Sequence, residues 1–324
     1  MTRSPLDPQL AAVLTAVPQL VRPVLPEHVA RIRSYEAHAP TNATDAVLRR
    51  GGAVEVHERL VPIACDATLG VLVLRPASGR GPWPGVVHIH GGGMMFGDNR
   101  TGLAPLAEWV ETLGVVVASI SYRLAPEHPD PVPVEDCYRL TEWVATHAGE
   151  LGIDDGPLVL AGSSAGGGLA AGVAILARER GGPKLGGQLL FSPMLDDRSM
   201  TPSSRELDGD APWDHRSNVT GWTALLGVRR GTSDVSPASA PARCDDLRGL
   251  PPTYIDVGAV ETFRDEAMEY ALRLSGAGVA VEAHLWAGAF HGFDALAPAS
   301  DVAAAARQAR MGHLRRLLRD RAAR

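Results

Sequence analysis

The chain has 324 residues, 45% hydrophobic and 21% charged, with 35 glycines and 25 prolines; at ~150 residues per domain that length gives two domains, or one large α/β domain with insertions. The ordinary charged fraction excludes wholesale disorder, and a net charge of −6 argues against a nucleic-acid or anionic-membrane partner, since either wants a basic face. Cys65, Cys137 and Cys244, widely spaced and odd in number, make neither a disulfide framework nor a zinc pattern.

Leu6, Leu10, Val13, Leu14, Val17 and Val21 fall at helical spacing, with Asp7-Pro8 as cap and first-turn proline. Pro18 breaks the apolar run Leu10–Val21, which lacks a small-x-small cleavage site, and no stretch approaches ~18 uninterrupted apolar residues. The expectation is a soluble cytoplasmic protein with no membrane partner, open to forming a homodimer. A second helix is predicted over Pro26–Ala39. Val54–Leu60 and Leu69–Leu74 alternate as strands of an antiparallel entry to a sheet. Short, almost wholly apolar runs follow at Gly85–Ile89, Val115–Ile120, Leu158–Leu160, Gln188–Phe191, Thr253–Val257 and Val279–Leu285. Such runs read as strands buried on both faces, and helical stretches lie between several of them (103–113, 134–148, 165–180, 262–276). This alternation predicts an α/β fold with a mostly parallel sheet covered on both sides, closed by a helix at about 300–321 whose Arg315, Arg316, Arg319 and Arg321 form a solvated face. Residues Asp196–Arg248 break the rhythm. They are rich in Asp, Ser, Pro and Arg, with one helical stretch at Asn218–Leu226, and read as an insertion with its own structure.

Gly162-Ser163-Ser164-Ala165-Gly166 follows a predicted strand and opens a predicted helix, the context that gives a G-x-S-x-G string its meaning. The turn must be sharp, and the positions two before and two after its centre must be tiny. That requirement selects Ser164 over Ser163, and the helix N-terminus supplies positive partial charge and free N–H groups. A phosphate loop or an ordinary turn is the alternative for this pentapeptide alone. His90-Gly91-Gly92-Gly93 ends the predicted strand Val86–Ile89, about seventy residues earlier. Successive glycines there let main-chain amides converge, as an acyl-transfer enzyme needs for its oxyanion. Gly92, Gly93 and Ala165 are the predicted donors. The pair His88-x-His90 has no third ligand at sensible spacing, so no metal is expected, and His90 reads as a prop for the glycine loop.

These two motifs, with Tyr122-Arg-Leu-Ala-Pro-Glu127, Glu135-Asp136-Cys137 and Phe290-His291-Gly292-Phe293, make the chain resemble the hormone-sensitive-lipase family of α/β-hydrolases, which contains many bacterial carboxylesterases. The resemblance spans nearly the whole chain. It implies N-terminal cap helices at 1–50, a catalytic domain in two parts at 51–195 and 249–324, and a cap insertion at 196–248 over the acyl pocket. The family order of nucleophile, acid and histidine makes His291 the base, with Phe290 and Phe293 walling it from water. Aligning Arg264-Asp265-Glu266 on the tail of the family's Asp-Pro-Leu-Arg-Asp-Glu string puts Glu261 at the acid position. Asp265 is the competitor, read as starting the next helix. Met94, Met95 and Phe96 suggest an apolar substrate wall; Asp98, Arg123, Glu127 and Asp136 read as scaffold pairs. Ser163 and Glu261 depart from the family's commoner residues and point to a subgroup. The implied activity is serine-dependent hydrolysis of short-to-medium acyl esters, needing no cofactor or metal. The rivals are an amidase or natural-product deacetylase, and a non-catalytic small-molecule receptor on the same scaffold.

Overall fold

The computed structural model describes residues 4–36, 43–63 and 67–322. Among them, eight strands form one sheet: β1 (Val54–Ile63), β2 (Ala67–Pro76), β3 (Gly85–Ile89), β4 (Val116–Ile120), β5 (Leu158–Ser163), β6 (Leu185–Phe191), β7 (Thr253–Gly258) and β8 (Val281–Trp286). Their spatial order is β1-β2-β4-β3-β5-β6-β7-β8. β1 pairs antiparallel with β2, and β2 with β4; every later pairing is parallel. The predicted antiparallel entry and parallel core are both present.

The parallel strands are apolar throughout because both faces are covered. Val87 and Ile89 of β3, with Val116, Ala118 and Ile120 of β4, point to one face. There they meet the helices Val132–Thr146, Ala165–Arg180 and Arg264–Gly276. Val86 and Val117 point to the other face, which holds the helices Ala104–Leu113 and Asp301–Ala322. No helix among the described residues is long and apolar enough to cross a membrane.

The differences from the predicted elements have local causes. The first helix runs only Pro8–Ala16 and gives way to a 3-10 turn at Pro18–Val21, since a proline cannot donate to the preceding turn. Asp7 caps it, accepting from the N–H groups of Gln9 and Leu10. The second helix covers Val29–Glu36, and the rest of its predicted span, 37–39, lies outside the described residues, as does Cys65. Cys137 and Cys244 are buried free thiols. Between Asp196 and Arg248 no strand forms, and two α-helices stand where one was expected, Pro202–Glu206 and His215–Leu226. The second starts three residues early because Asp214 caps it, its carboxylate accepting from Ser217 N at 2.8 Å. An ion pair between the buried Asp197 and the half-buried Arg243, with N···O distances of 2.6 and 2.9 Å, ties the two ends of this segment together. Of the expected scaffold charges, Asp98 forms no ion pair among the described residues, its carboxylate accepting from Arg100 N at 2.8 Å, whereas the other three are paired. Arg123 grips the buried Asp136 through two nitrogens, and Glu127 pairs with Arg33.

Candidate active site

Four chain segments converge at the carboxyl ends of β3, β5, β7 and β8, where open α/β sheets place their ligand crevices. Ser164 sits between β5 and the helix Ala165–Arg180 with φ 57° and ψ −122°. Its carbonyl accepts from Gly168 N and Met194 N, which holds the turn. The flanking glycines are required by close approach. A Cβ on Gly162 would collide with the Gly166 carbonyl, and one on Gly166 with the carbonyls of Ile89 and His90. Among the described residues five non-glycines have positive φ, and three of them are here: Met94 (61°), Ser164 (57°) and Ser192 (43°). Each such residue costs about 1–3 kcal/mol, and such strain concentrates at functional sites.

His291 follows β8, and its Nε2 lies 3.0 Å from Ser164 Oγ. Its Nδ1 lies 3.0 Å from Glu261 Oε1. Glu261, only 1% exposed, follows β7. Its second oxygen accepts from Ser192 Oγ and from Gly258 N, both at 2.8 Å. Three contacts therefore hold the carboxylate, one on Oε1 and two on Oε2, and the longer glutamate is anchored at its tip. Asp265 faces elsewhere, accepting from Ser203 N at 2.8 Å and Arg264 Nε at 2.7 Å.

The rings against the imidazole are Phe263, edge-on at 5.1 Å, and Trp213, tilted at 6.4 Å. Phe290 and Phe293, expected there, instead pack with Leu10 of the first helix in a separate apolar cluster. They anchor the loop bearing His291 from behind.

The glycine loop after β3 is shaped from both sides. His90 stacks on Tyr122 with ring centroids 4.2 Å apart, and Tyr122 Oη donates to the His90 carbonyl. Gly92 O accepts from Met95 N and Phe96 N, which folds the loop back on itself. Trp213 lies against Gly93, where a Cβ would strike its indole. Among the described residues the N–H groups of Gly92, Gly93 and Ala165 donate to no protein acceptor. Met94 and Met95 have no exposed surface and Phe96 has 6%, so all three sit in the main core cluster beneath the loop. Arg33 of the second helix holds that stretch, donating to Met95 O at 2.8 Å and Ala125 O at 2.6 Å.

Ser192, Trp213, Phe263 and Arg33 carry no motif, and sequence reasoning missed them. A serine directly after a predicted strand was the only signal for Ser192, and its positive φ is invisible in sequence. No group of three or more His, Cys, Asp or Glu side chains among the described residues is placed to hold a metal. His88 pairs with Ser119 and His90 with its neighbour's carbonyl.

Comparisons with known proteins agree with this geometry. The alpha/beta hydrolase fold family matches residues 86–295. The chain is 33% identical over 294 residues to Esterase LipI of Mycobacterium tuberculosis, covering 89% of this chain and 88% of that protein. It is 32% identical over 284 residues to Carboxylesterase NlhH of the same organism, covering 87% and 86%. Among solved structures, a bacterial heroin esterase superposes with a TM-score of 0.86 at 36% identity, covering 97% of this chain and 98% of that one. The hyperthermophilic esterase from the archaeon Pyrobaculum calidifontis does so with a TM-score of 0.85 at 28% identity, covering 97% and 99%. The chain belongs to the hormone-sensitive-lipase family of α/β-hydrolases.

Proposed function

We propose that this chain hydrolyses carboxylic esters of short-to-medium acyl length through an acyl-enzyme on Ser164. Ser164 Oγ attacks the ester carbonyl as His291 Nε2 takes its proton. Glu261 fixes the imidazole with its proton on Nδ1 and stabilises the imidazolium without itself becoming protonated. The N–H groups of Gly92, Gly93 and Ala165 receive the oxyanion, each worth roughly 2.7–4 kcal/mol of barrier. His291 then protonates the departing alcohol, and water deprotonated by His291 releases the acid. The observation that carries this reading is the unbroken chain of two 3.0 Å contacts from Ser164 Oγ through His291 to Glu261. A receptor has no use for a base so oriented, and small-molecule esters are what the named relatives' activity implies.

In this reading residues 1–50 and 196–248 form the cap. Two contacts support it: Trp213 lies against Gly93, and Arg33 grips the main chain at Met95. Met94, Met95 and Phe96, expected as a substrate wall, are buried in the core and act by shaping that loop. The test is a series of p-nitrophenyl esters from acetate to laurate with Ser164→Ala and His291→Ala. Cleavage should favour the shorter chains and fall about a millionfold in kcat in either variant. Either variant turning over at the parent rate would end the proposal.

A further inference from the structure

A cavity of about 490 Å³ lies on the sheet face covered by the helices Ala104–Leu113 and Asp301–Ala322. It falls within the roughly 300–1,000 Å³ that small-molecule sites span. Its inner wall is the carboxyl ends of β3, β5 and β6, through His88, Ser163 and Phe191. Ser164 and His291 do not line it, whereas their chain neighbours Ser163 and Gly292 do. The cavity therefore backs onto the catalytic dyad from the opposite side. Small side chains on the two covering helices, Ala104 and Ala304, leave it open.

Its chemistry is specific. Pro105, Leu106, Pro298 and Met311 give it an apolar wall into which two aromatic rings are set, Trp109 and Phe191, the latter with the Arg310 guanidinium over one face at 4.2 Å. His88 is only 2% exposed, and its Nδ1 is paired with Ser119 Oγ at 2.8 Å. Its Nε2 has no hydrogen-bond partner among the described residues and is not one of the fully buried atoms left unpaired, so it keeps some accessible surface. Burial and the neighbouring His90 hold this imidazole neutral, its pKa down to about 3. The wall charges favour no one sign of ion. Arg310 is neutralised between Asp256 and Asp294, and the remaining charged wall residues, Glu108 and Arg307, are one of each sign.

We propose that this cavity is a second, non-catalytic binding site for a neutral aromatic alcohol, its ring against Trp109, Phe191 and Leu106 and its hydroxyl on Nε2 of His88. The inference goes beyond ester hydrolysis and does not depend on Ser164 being reactive.

The probe is 2-naphthol, which is neutral at pH 7 and fluorescent. Equilibrium dialysis is run with the full chain, untreated and after inactivation with diethyl p-nitrophenyl phosphate. The expected result is one saturable site per chain, unchanged by inactivation, with naphthalene at least about fivefold weaker because it lacks the hydroxyl. Gln308→Trp, at an exposed position on the cavity wall, and Ala304→Phe fill the space; each should weaken binding at least about tenfold while ester hydrolysis stays within about twofold. Absence of saturable binding, loss of binding on inactivation, naphthalene binding as tightly as 2-naphthol, or full affinity in both filled variants would each overturn the site. Failure of the phosphate ester to inactivate would instead count against the catalytic reading, leaving the untreated isotherm and the filled variants to decide the cavity.

Discussion

Exchanging the Glu261 carboxylate tests the acid assignment with magnitudes drawn from its contacts. Glu261→Gln keeps the shape, but its amide can present an N–H to His291 Nδ1 and so favours the tautomer that cannot accept the Ser164 proton. That exchange should lower kcat by about 10⁴-fold with little change in KM. Glu261→Asp keeps the charge but shortens the reach by about 1.5 Å. It then meets either the imidazole or the Ser192 and Gly258 donors, which now hold the other oxygen at 2.8 Å. A misplacement of about 1 Å costs about 10²-fold. Asp265→Asn disturbs only the contacts to Ser203 and Arg264, so kcat should stay within about twofold while stability falls by about 1 kcal/mol. Steady-state hydrolysis of p-nitrophenyl butyrate, normalised by active-site titration, gives the three values. A Glu261→Gln enzyme within tenfold of the parent, or an Asp265→Asn enzyme as impaired as expected for Glu261→Gln, would refute the reasoning.

Three further outcomes follow from buried groups. Arg310 is 5% exposed and bridges Asp256 to Asp294, so Arg310→Met strands two carboxylates and should cost about 3–5 kcal/mol; a urea unfolding free energy lowered by less than about 1 kcal/mol would contradict this. Burial holds His88 and His90 neutral, with pKa values lowered to about 3 and about 4. The unfolded chain protonates both rings near pH 6.5, so this contribution is complete above that pH and is lost as pH falls toward 4. The loss at pH 5 is about 4 kcal/mol relative to pH 7.5, and a urea midpoint flat across that interval would show that the rings are not held neutral. Gly166→Ala drives a Cβ into the Ile89 and His90 carbonyls and should abolish soluble expression, whereas Gly149→Ala, with open space around it, should change stability by less than about 1 kcal/mol. Equal soluble yields of the two would refute the close-approach argument.

The sheet, its covering helices and the Ser164 turn were legible because each is dictated locally. Apolar runs fix strands, glycine spacing fixes the turn, and strand–helix alternation fixes the parallel order. The relation of Glu261 to His291 was reachable only through resemblance, since thirty residues, with a helix and the strand β8, separate them. What the sequence hid is what depends on distant segments meeting. Trp213 reaches Gly93 from the insertion, Arg33 reaches Met95 from the N-terminal region, and Ser192 meets Glu261 across neighbouring strand ends. The phenylalanines around His291 misled for the same reason. Adjacency in the chain suggested contact with the ring, while the loop's direction sends both side chains back toward Leu10.

The most direct test of the central claim is to identify the atom that becomes covalently bound. The protein is inactivated with diethyl p-nitrophenyl phosphate, digested, and the phosphorylated residue located by tandem mass spectrometry. One equivalent per chain on Ser164, absent from His291→Ala on the same timescale, is the predicted result. An inactivated enzyme whose adduct sits on Ser163, Ser192 or any other residue would contradict it.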